Sequence, residues 1–322
     1  MKTIINIIFY TTMLVVLGSC QKNIDAFIPD NFQANIDTVW QNNITPNASI
    51  FSLRNDLRTV RVKDSFSYGN ANFSFSSGVL SLTIPNNSLA KNGTILSSGL
   101  IMKESLLATK KGDFIANDLP TISNDRLLVS GGAFYLNLKT NGNDLSIAQG
   151  NKITVKFTAS SPFQLNKIFN ADSVNGTNWI LNTDTNFNRS NSTATGYEIE
   201  TNKTQYVQTA HFMDIAGIGQ TTLTLKLPSN YTNTNTATYI SFNDETCVAG
   251  LKANVSMRAF VSPLLPVNRP VTIVVISKQA GDYYLGSQIT TTSFNGPSPS
   301  SNIFITPVKR SLDYIKTFLG AL

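Results

Sequence analysis

The sequence predicts an all-β protein: two or three tandem β-sandwich-like domains with a C-terminal helix. Three observations carry this. Apolar residues alternate with polar ones in short runs along most of the chain. Those runs are bounded by Gly, Pro and Asn, as half-buried strands are. One helix is credible, at the C-terminus, in residues 308–322.

The strands read off in order. Leu80, Leu82 and Ile84 alternate with Ser81 and Thr83, and Pro85 closes the run. Phe134, Leu136 and Leu138 alternate with Tyr135 and Asn137, and Ile153, Val155 and Phe157 with Thr154 and Lys156. Leu223, Leu225 and Leu227 repeat the pattern before Pro228. Val271 to Ile276 is a continuous β-branched run and reads as a strand covered on both faces. Asn92-Gly93, Asn141-Gly142, Asn175-Gly176 and Asn295-Gly296 mark tight reversals, because Asn and Gly tolerate positive φ. Short strands with frequent turns favour sandwiches over a parallel α/β sheet. In the final segment Val308, Leu312, Ile315, Leu319 and Leu322 form one stripe behind Pro307. That stripe is expected to dock on the preceding β-domain.

Composition shifts divide the chain into a signal peptide (1–19), a tether and lead-in (20–65), a β-sandwich domain (66–159), a middle β-domain (160–238), a C-terminal β-domain (239–307) and the helix (308–322). Ser160-Ser161-Pro162, the Thr/Asn run from Asn233 to Thr238, and the loop 296–301 mark the softer breaks.

The amino terminus carries an address. Lys2 precedes an apolar run from Ile4 to Leu17, which ends in Leu17-Gly18-Ser19-Cys20. Charge, apolar core and small-residue cleavage site make a secretory signal peptide. The run is shorter than the roughly 20 apolar residues of a spanning helix. Leu-Gly-Ser-Cys resembles the lipobox of bacterial lipoproteins. That resemblance implies cleavage before Cys20, lipid on the new terminus, and partnership with a membrane through that lipid. The 25 basic residues fall to 24 when Lys2 leaves, against 19 acidic ones. They are scattered, with only Lys110-Lys111 and Lys309-Arg310 as tight pairs, so no nucleic-acid surface is expected. Cys247 then has no cysteine to pair with, and its apolar setting reads as a buried, inert thiol.

Residues 78–158 carry a further pattern. Gly78-Val79-Leu80-Ser81-Leu82-Thr83-Ile84-Pro85 is followed by Asn92-Gly93, Met102-Lys103-Glu104, Pro120-Thr121-Ile122-Ser123 and Leu127-Leu128-Val129-Ser130-Gly131-Gly132-Ala133-Phe134. This layout resembles uncharacterised Bacteroidetes-type outer-membrane and surface lipoproteins with tandem β-sandwich domains. A similar layout occurs in the β-sandwich shared by ankyrins and netrin receptors. Tyr239-Ile240-Ser241-Phe242 and the helix after Pro307 extend the likeness to about half the chain. The resemblance implies an anchored β-protein and carries over no catalytic residue.

Chemistry-bearing motifs are sparse. His211 is the single histidine, and no Gly-x-Ser-x-Gly turn accompanies it, so a Ser-His-Asp triad has no framework. Zinc normally takes several His or Cys ligands, and neither a metal nor a cofactor is expected. Residues 182–188 alternate oxygen-bearing side chains as calcium loops do, but with one carboxylate and no turn glycine they read as an Asn-rich loop. Asp113, Asp118 and Asp125 share one segment, with nothing that marks an acid–base pair. Asp37-Thr38-Val39 and Asp172-Ser173-Val174 fit the Asp-(Ser/Thr)-aliphatic pattern that Bacteroidetes-type secreted proteins use for O-glycosylation, at Thr38 and Ser173.

The functional expectation is a non-enzymatic, lipid-anchored protein of the outer membrane that binds or scaffolds at the cell envelope, its partners being envelope proteins or glycans. One alternative is a glycan-binding lipoprotein of a polysaccharide-uptake system, for which Trp40, Trp179, Tyr231, Tyr283 and Tyr284 are the candidate aromatics. Most strand aromatics are core instead. The second alternative is a carboxylate-dependent hydrolase.

Overall fold

The computed structural model of the chain describes residues 39–69, 72–77, 80–159, 162–172, 178–293 and 300–322. They form five sheets, antiparallel but for one pairing, and three helices: α1 (Ser49–Leu57), α2 (Lys111–Ala116) and α3 (Leu312–Gly320). Among them, no helix is long and apolar enough to cross a membrane.

The strands assemble into two sandwiches. In the first, Val62–Tyr68, Gly99–Ala108, Arg126–Thr140, Gln205–Phe212, Lys167–Ala171 and Trp179–Leu181 lie in that order in one sheet. The opposing sheet runs Arg189–Ser192, Gly196–Thr201, Ile153–Thr158, Leu80–Ile84, Phe73–Ser77. Alternation decides what enters the space between them. Leu80, Leu82, Ile84, Ile153, Val155 and Phe157 meet Ile101, Phe134, Leu136 and Leu138 there. In the second sandwich, Val248–Gly250, Thr236–Phe242, Pro270–Gln279, Asp282–Thr291 and Val308–Arg310 face a sheet built on Gln220–Lys226. Ser300–Phe304 joins that sheet parallel to Gln220–Lys226. Strands 167–212 thus belong to the first sandwich and strands 220–242 to the second.

A third apolar cluster lies between the sandwiches. Ile50, Leu53 and Leu57 of α1, Phe114 and Ile115 of α2, and Ile315 and Leu319 of α3 fill it. They pack on the outer faces of both sandwiches, through Leu106, Leu128, Tyr135 and Phe169 on one side and Tyr239, Val274 and Ile276 on the other. The run Val271–Ile276 is fully buried for this reason: Val271, Ile273 and Val275 enter the second core, and Val274 and Ile276 enter the helical layer.

The C-terminal helix starts later than its periodicity suggests. Val308–Arg310 is a strand that pairs with Tyr283–Leu285, and Val308 is exposed. Ser311 caps α3 by accepting the Tyr314 N–H at 3.2 Å. The stripe Leu312, Ile315, Leu319 and Leu322 then enters the helical layer, where α3 meets α1 and α2 as well as the β-structure. Contact with α2 is so close that a Cβ on Gly112 would overlap the Leu319 carbonyl. The helices α1 and α2 were not expected from the sequence.

Glycine also explains Ser130-Gly131-Gly132. The pairing of Gln205–Phe212 with Arg126–Thr140 slips between Thr209 and Ala210, opposite Gly132 and Ser130, which makes a β-bulge at Gly131. A Cβ there would strike Asn166 and Tyr197, while Gly132 lies at φ +137° against the Phe157 ring. Asn92-Gly93 and Asn141-Gly142 are positive-φ reversals as read, with φ of 49° and 80°, and 48° and 76°. Asn175-Gly176, Asn295-Gly296, Ser160-Ser161 and most of the 296–301 loop lie outside the described residues.

Candidate binding cleft between the two sandwiches

The Thr/Asn run 233–238, read in the sequence as a separator, is buried together with Thr232. Asn235 organises it. Its side-chain oxygen accepts the Thr232 N–H at 3.0 Å and the Thr236 hydroxyl at 2.6 Å, and its amide donates to the Asn230 carbonyl at 2.8 Å. Its backbone carbonyl accepts from the Ser277 hydroxyl and the Lys278 N–H. The Thr234 carbonyl accepts the Ile50 N–H at 2.8 Å, which seats α1. Such satisfaction lets most of these polar groups be buried, while Thr238 Oγ1 has no partner among the described residues.

Beside this run opens a cleft of about 620 Å³, bounded by α1, the 118–125 segment of the first sandwich, and strands 236–239 and 250–253 of the second. That volume falls in the range of small-ligand sites, about 300–1,000 Å³. One wall holds a charged relay. Arg54 Nε lies 3.0 Å from Asp118 Oδ2, and the Tyr239 hydroxyl donates to Asp118 Oδ1 at 2.8 Å. Burial pushes the Tyr239 phenol well above its usual range, and the Asp118 carboxylate adds to it. Tyr239 therefore acts as a neutral donor. At the mouth, Lys252 pairs with Asp125 at 3.0 Å, joining the second sandwich to the first. Asn124 and Asn178 clasp each other: Asn178 Oδ1 accepts the Asn124 N–H at 2.8 Å, and Asn178 Nδ2 donates to Asn124 Oδ1 at 3.2 Å. Asn233 also lines the cleft. It exchanges hydrogen bonds with the backbone of Gln41, at 3.0 and 2.6 Å, beside Trp40, whose ring is tilted against Phe260. Asp118, Asn124 and Asp125 all sit at positive φ, 53°, 47° and 62°. For non-glycine residues that is uncommon, with Asn and Asp the usual exceptions.

The residues singled out in the sequence are dispersed. Cys20, Thr38 and Ser173 lie outside the described residues, as does the signal peptide. Trp179 is buried, its indole N–H donating to the Pro120 carbonyl at 2.9 Å. Tyr231 is buried, with its hydroxyl on the Pro307 carbonyl and its ring edge-on to Tyr284. Tyr283 donates to Asp56 at 2.8 Å, in a cluster with Lys278 that pins α1. Trp40, Tyr283 and Tyr284 are half-buried, and none of the five aromatics lines the cleft.

The candidates for chemistry have structural partners. His211 Nδ1 meets Asn166 Oδ1 at 2.8 Å, and Asn166 donates to the Tyr197 hydroxyl at 3.0 Å. Phe163 stacks on the imidazole. Burial lowers the His211 pKa, opposed by Glu245. Cys247 is fully buried, and burial pushes its thiol up to about 12. Asp113 accepts the N–H groups of Thr109 and Lys110 at the start of α2. Asp118 and Asp125 are the cleft carboxylates described above. In the 182–188 loop, Asp184 Oδ1 accepts the Asn186 N–H and Asn182 Oδ1 the Asp184 N–H, as an Asn-rich turn does. Among the described residues, no group of three or more His, Cys, Asp and Glu side chains is placed to hold a metal ion.

Sequence reasoning passed over Arg54, Asn124, Asn178, Asn233 and Lys252. Ile50, Leu53 and Leu57 show helical spacing that could have located α1 and Arg54 with it. Asn124-Asp125 is a legible turn pair. Nothing local connects either to residues 233–252. No family model matches the chain, and no curated protein matches it.

Proposed function

We propose that this chain is a lipid-anchored, non-enzymatic binding protein of the cell envelope, held in the outer membrane through Cys20, and that it engages its partner at the cleft between the two sandwiches. The cleft carries the reading. It is the place where α1 and both sandwiches present polar side chains to one space of ligand size. The Leu17-Gly18-Ser19-Cys20 sequence supports the anchor, and the tandem sandwiches agree with the Bacteroidetes-type surface lipoproteins that residues 78–158 resemble. The non-enzymatic part rests on how the chemical candidates are used. His211 is tied to Asn166, the Cys247 thiol is buried and protonated, and Asp113, Asp118 and Asp125 serve caps and ion pairs.

The test is recovery of partners from cross-linked envelopes with three forms of the chain. Wild type should fractionate with membranes and carry a partner. Cys20→Ser should lose lipid labelling and leave the membrane fraction. Ala253→Trp, which places an indole at an exposed position of the cleft wall, should stay anchored and lose the partner. An Ala253→Trp chain that recovers the same partner in full would show that binding lies elsewhere.

A further inference from the structure

We infer that the cleft takes a neutral, polyhydroxylated ligand, an oligosaccharide, held by side-chain hydrogen bonds rather than by charge; this rests on the cleft being the binding site.

Charge comes first. The basic groups in the lining are Arg54 and Lys252, and each is already matched, Arg54 by Asp118 and Lys252 by Asp125. Asp172, the third acidic residue of the lining, also has a partner. An ionic ligand would have to compete with one of these pairs, which costs little at the exposed Lys252–Asp125 pair and most at Arg54–Asp118, where the groups are least exposed. Asp118 is the less exposed partner of the Arg54 pair, with 17% of its side chain accessible.

The lining instead offers spare hydrogen-bonding capacity of both kinds. A primary amide has two donors and two acceptor sites. The Asn178 amide gives one N–H to Asn124 and receives one. Among the described residues, its second N–H and both N–H groups of the Asn124 amide have no partner and are open to a ligand. Asp125 uses Oδ1 for Lys252, which leaves Oδ2 as an acceptor. A sugar hydroxyl both donates and accepts, so a row of hydroxyls satisfies mixed amide and carboxylate groups without needing a fixed sign.

Backbone geometry argues against a peptide strand as the occupant. Peptides that extend a sheet need open main-chain groups along an edge. Along the cleft floor the Thr238 carbonyl already accepts the Leu251 N–H at 3.0 Å, and the Thr236 N–H already donates to the Thr232 carbonyl at 3.0 Å. At 236–238 the cleft thus presents side chains, while Lys252–Asn254 on the other wall is the edge strand of its sheet, which the peptide probe below tests.

The experiment is calorimetric titration of the purified chain with neutral gluco-, manno- and xylo-oligosaccharides, with a uronate oligosaccharide and a capped neutral peptide as comparison probes. Binding of a neutral oligosaccharide, unchanged between low and high salt, is the expected result. Asn178→Ala should weaken it by roughly three- to tenfold, the scale of one or two lost hydrogen bonds. Tyr284→Ala, away from the cleft, should leave it unchanged. If only the uronate or the peptide binds, and Asn178→Ala or Ala253→Trp weakens it, the cleft stands and the ligand class is wrong. If an oligosaccharide binds with the same affinity to Ala253→Trp and Asn178→Ala, the cleft itself is not the site. If no oligosaccharide binds at millimolar concentration, the ligand class is overturned, and the partner-recovery result then decides whether the cleft binds something else.

Discussion

Gln208 is the least expected residue in the helical layer. It is fully buried on the outer face of the first sandwich, and neither amide atom has a hydrogen-bond partner among the described residues. An unmade buried bond costs about 1–3 kcal/mol. Gln208→Leu should therefore raise stability by about 1–2 kcal/mol, seen as a higher urea midpoint with unchanged slope. A lower midpoint would mean that the amide is satisfied in solution. His211 makes the opposite kind of statement. Burial lowers its pKa below the ordinary value near 6.5. The unfolded chain thus binds a proton more readily than the folded one. Its contribution is present above about pH 6.5 and lost as the pH falls through the folded pKa. Wild type should lose stability over that acidic window, and His211→Gln should flatten that part of the curve. A variant with the same pH dependence as wild type would remove His211 from the account. Lys103 shows how a residue can be misread. In sequence it is one polar residue of Met102-Lys103-Glu104, but inside the strand Gly99–Ala108 it points into the first core with its ammonium 3.1 Å from the centre of the Phe75 ring, and burial lowers its pKa.

The elements that alternate cleanly were legible, because a strand with one face on a core has to repeat with period two. Leu80–Ile84 and Ile153–Thr158 stand where the pattern placed them. The shortest helix, α2, was not legible. Intrinsic propensity cannot hold α2, at six residues, which depends on the Asp113 cap and on burial of Phe114 and Ile115. The same tertiary logic trims α3 at its start, since Val308 is used by the sheet. The helix contact gives a sharp test. Leu319 is 2% exposed, so Leu319→Ala should cost about 2–5 kcal/mol. Gly112→Ala should cost about 1–3 kcal/mol or more by forcing α2 from the Leu319 carbonyl. Leu312, half-buried, should cost less than Leu319. Urea midpoints equal to wild type for Leu319→Ala and Gly112→Ala together would mean that α3 is not docked as described.

At the scale of the molecule, two sandwiches share a helical layer, and the cleft lies where that layer meets the buried 232–238 run. The site was the least legible feature, because its residues come from positions 44–54, 118–125, 172–178 and 233–260. Their meeting depends on packing between sandwiches, which no local pattern encodes. Asn233 illustrates this: as one polar residue in a Thr/Asn run it reads as linker, yet it is nearly buried and fastens the Gln41 backbone. The aromatics that looked most like a ligand platform went largely to packing, Trp179 and Tyr231 above all. The proposed anchor and cleft together make one claim, that an envelope partner is met at this junction. The most direct test places a photo-activatable residue at Ala253, on the cleft wall, and separately at Val60, 88% exposed and outside the cleft, in the anchored protein of living cells. The account predicts a discrete cross-linked product from position 253 that is absent from position 60 and suppressed by Asn178→Ala. Equal products from both positions, or a product from position 60 alone, would contradict it.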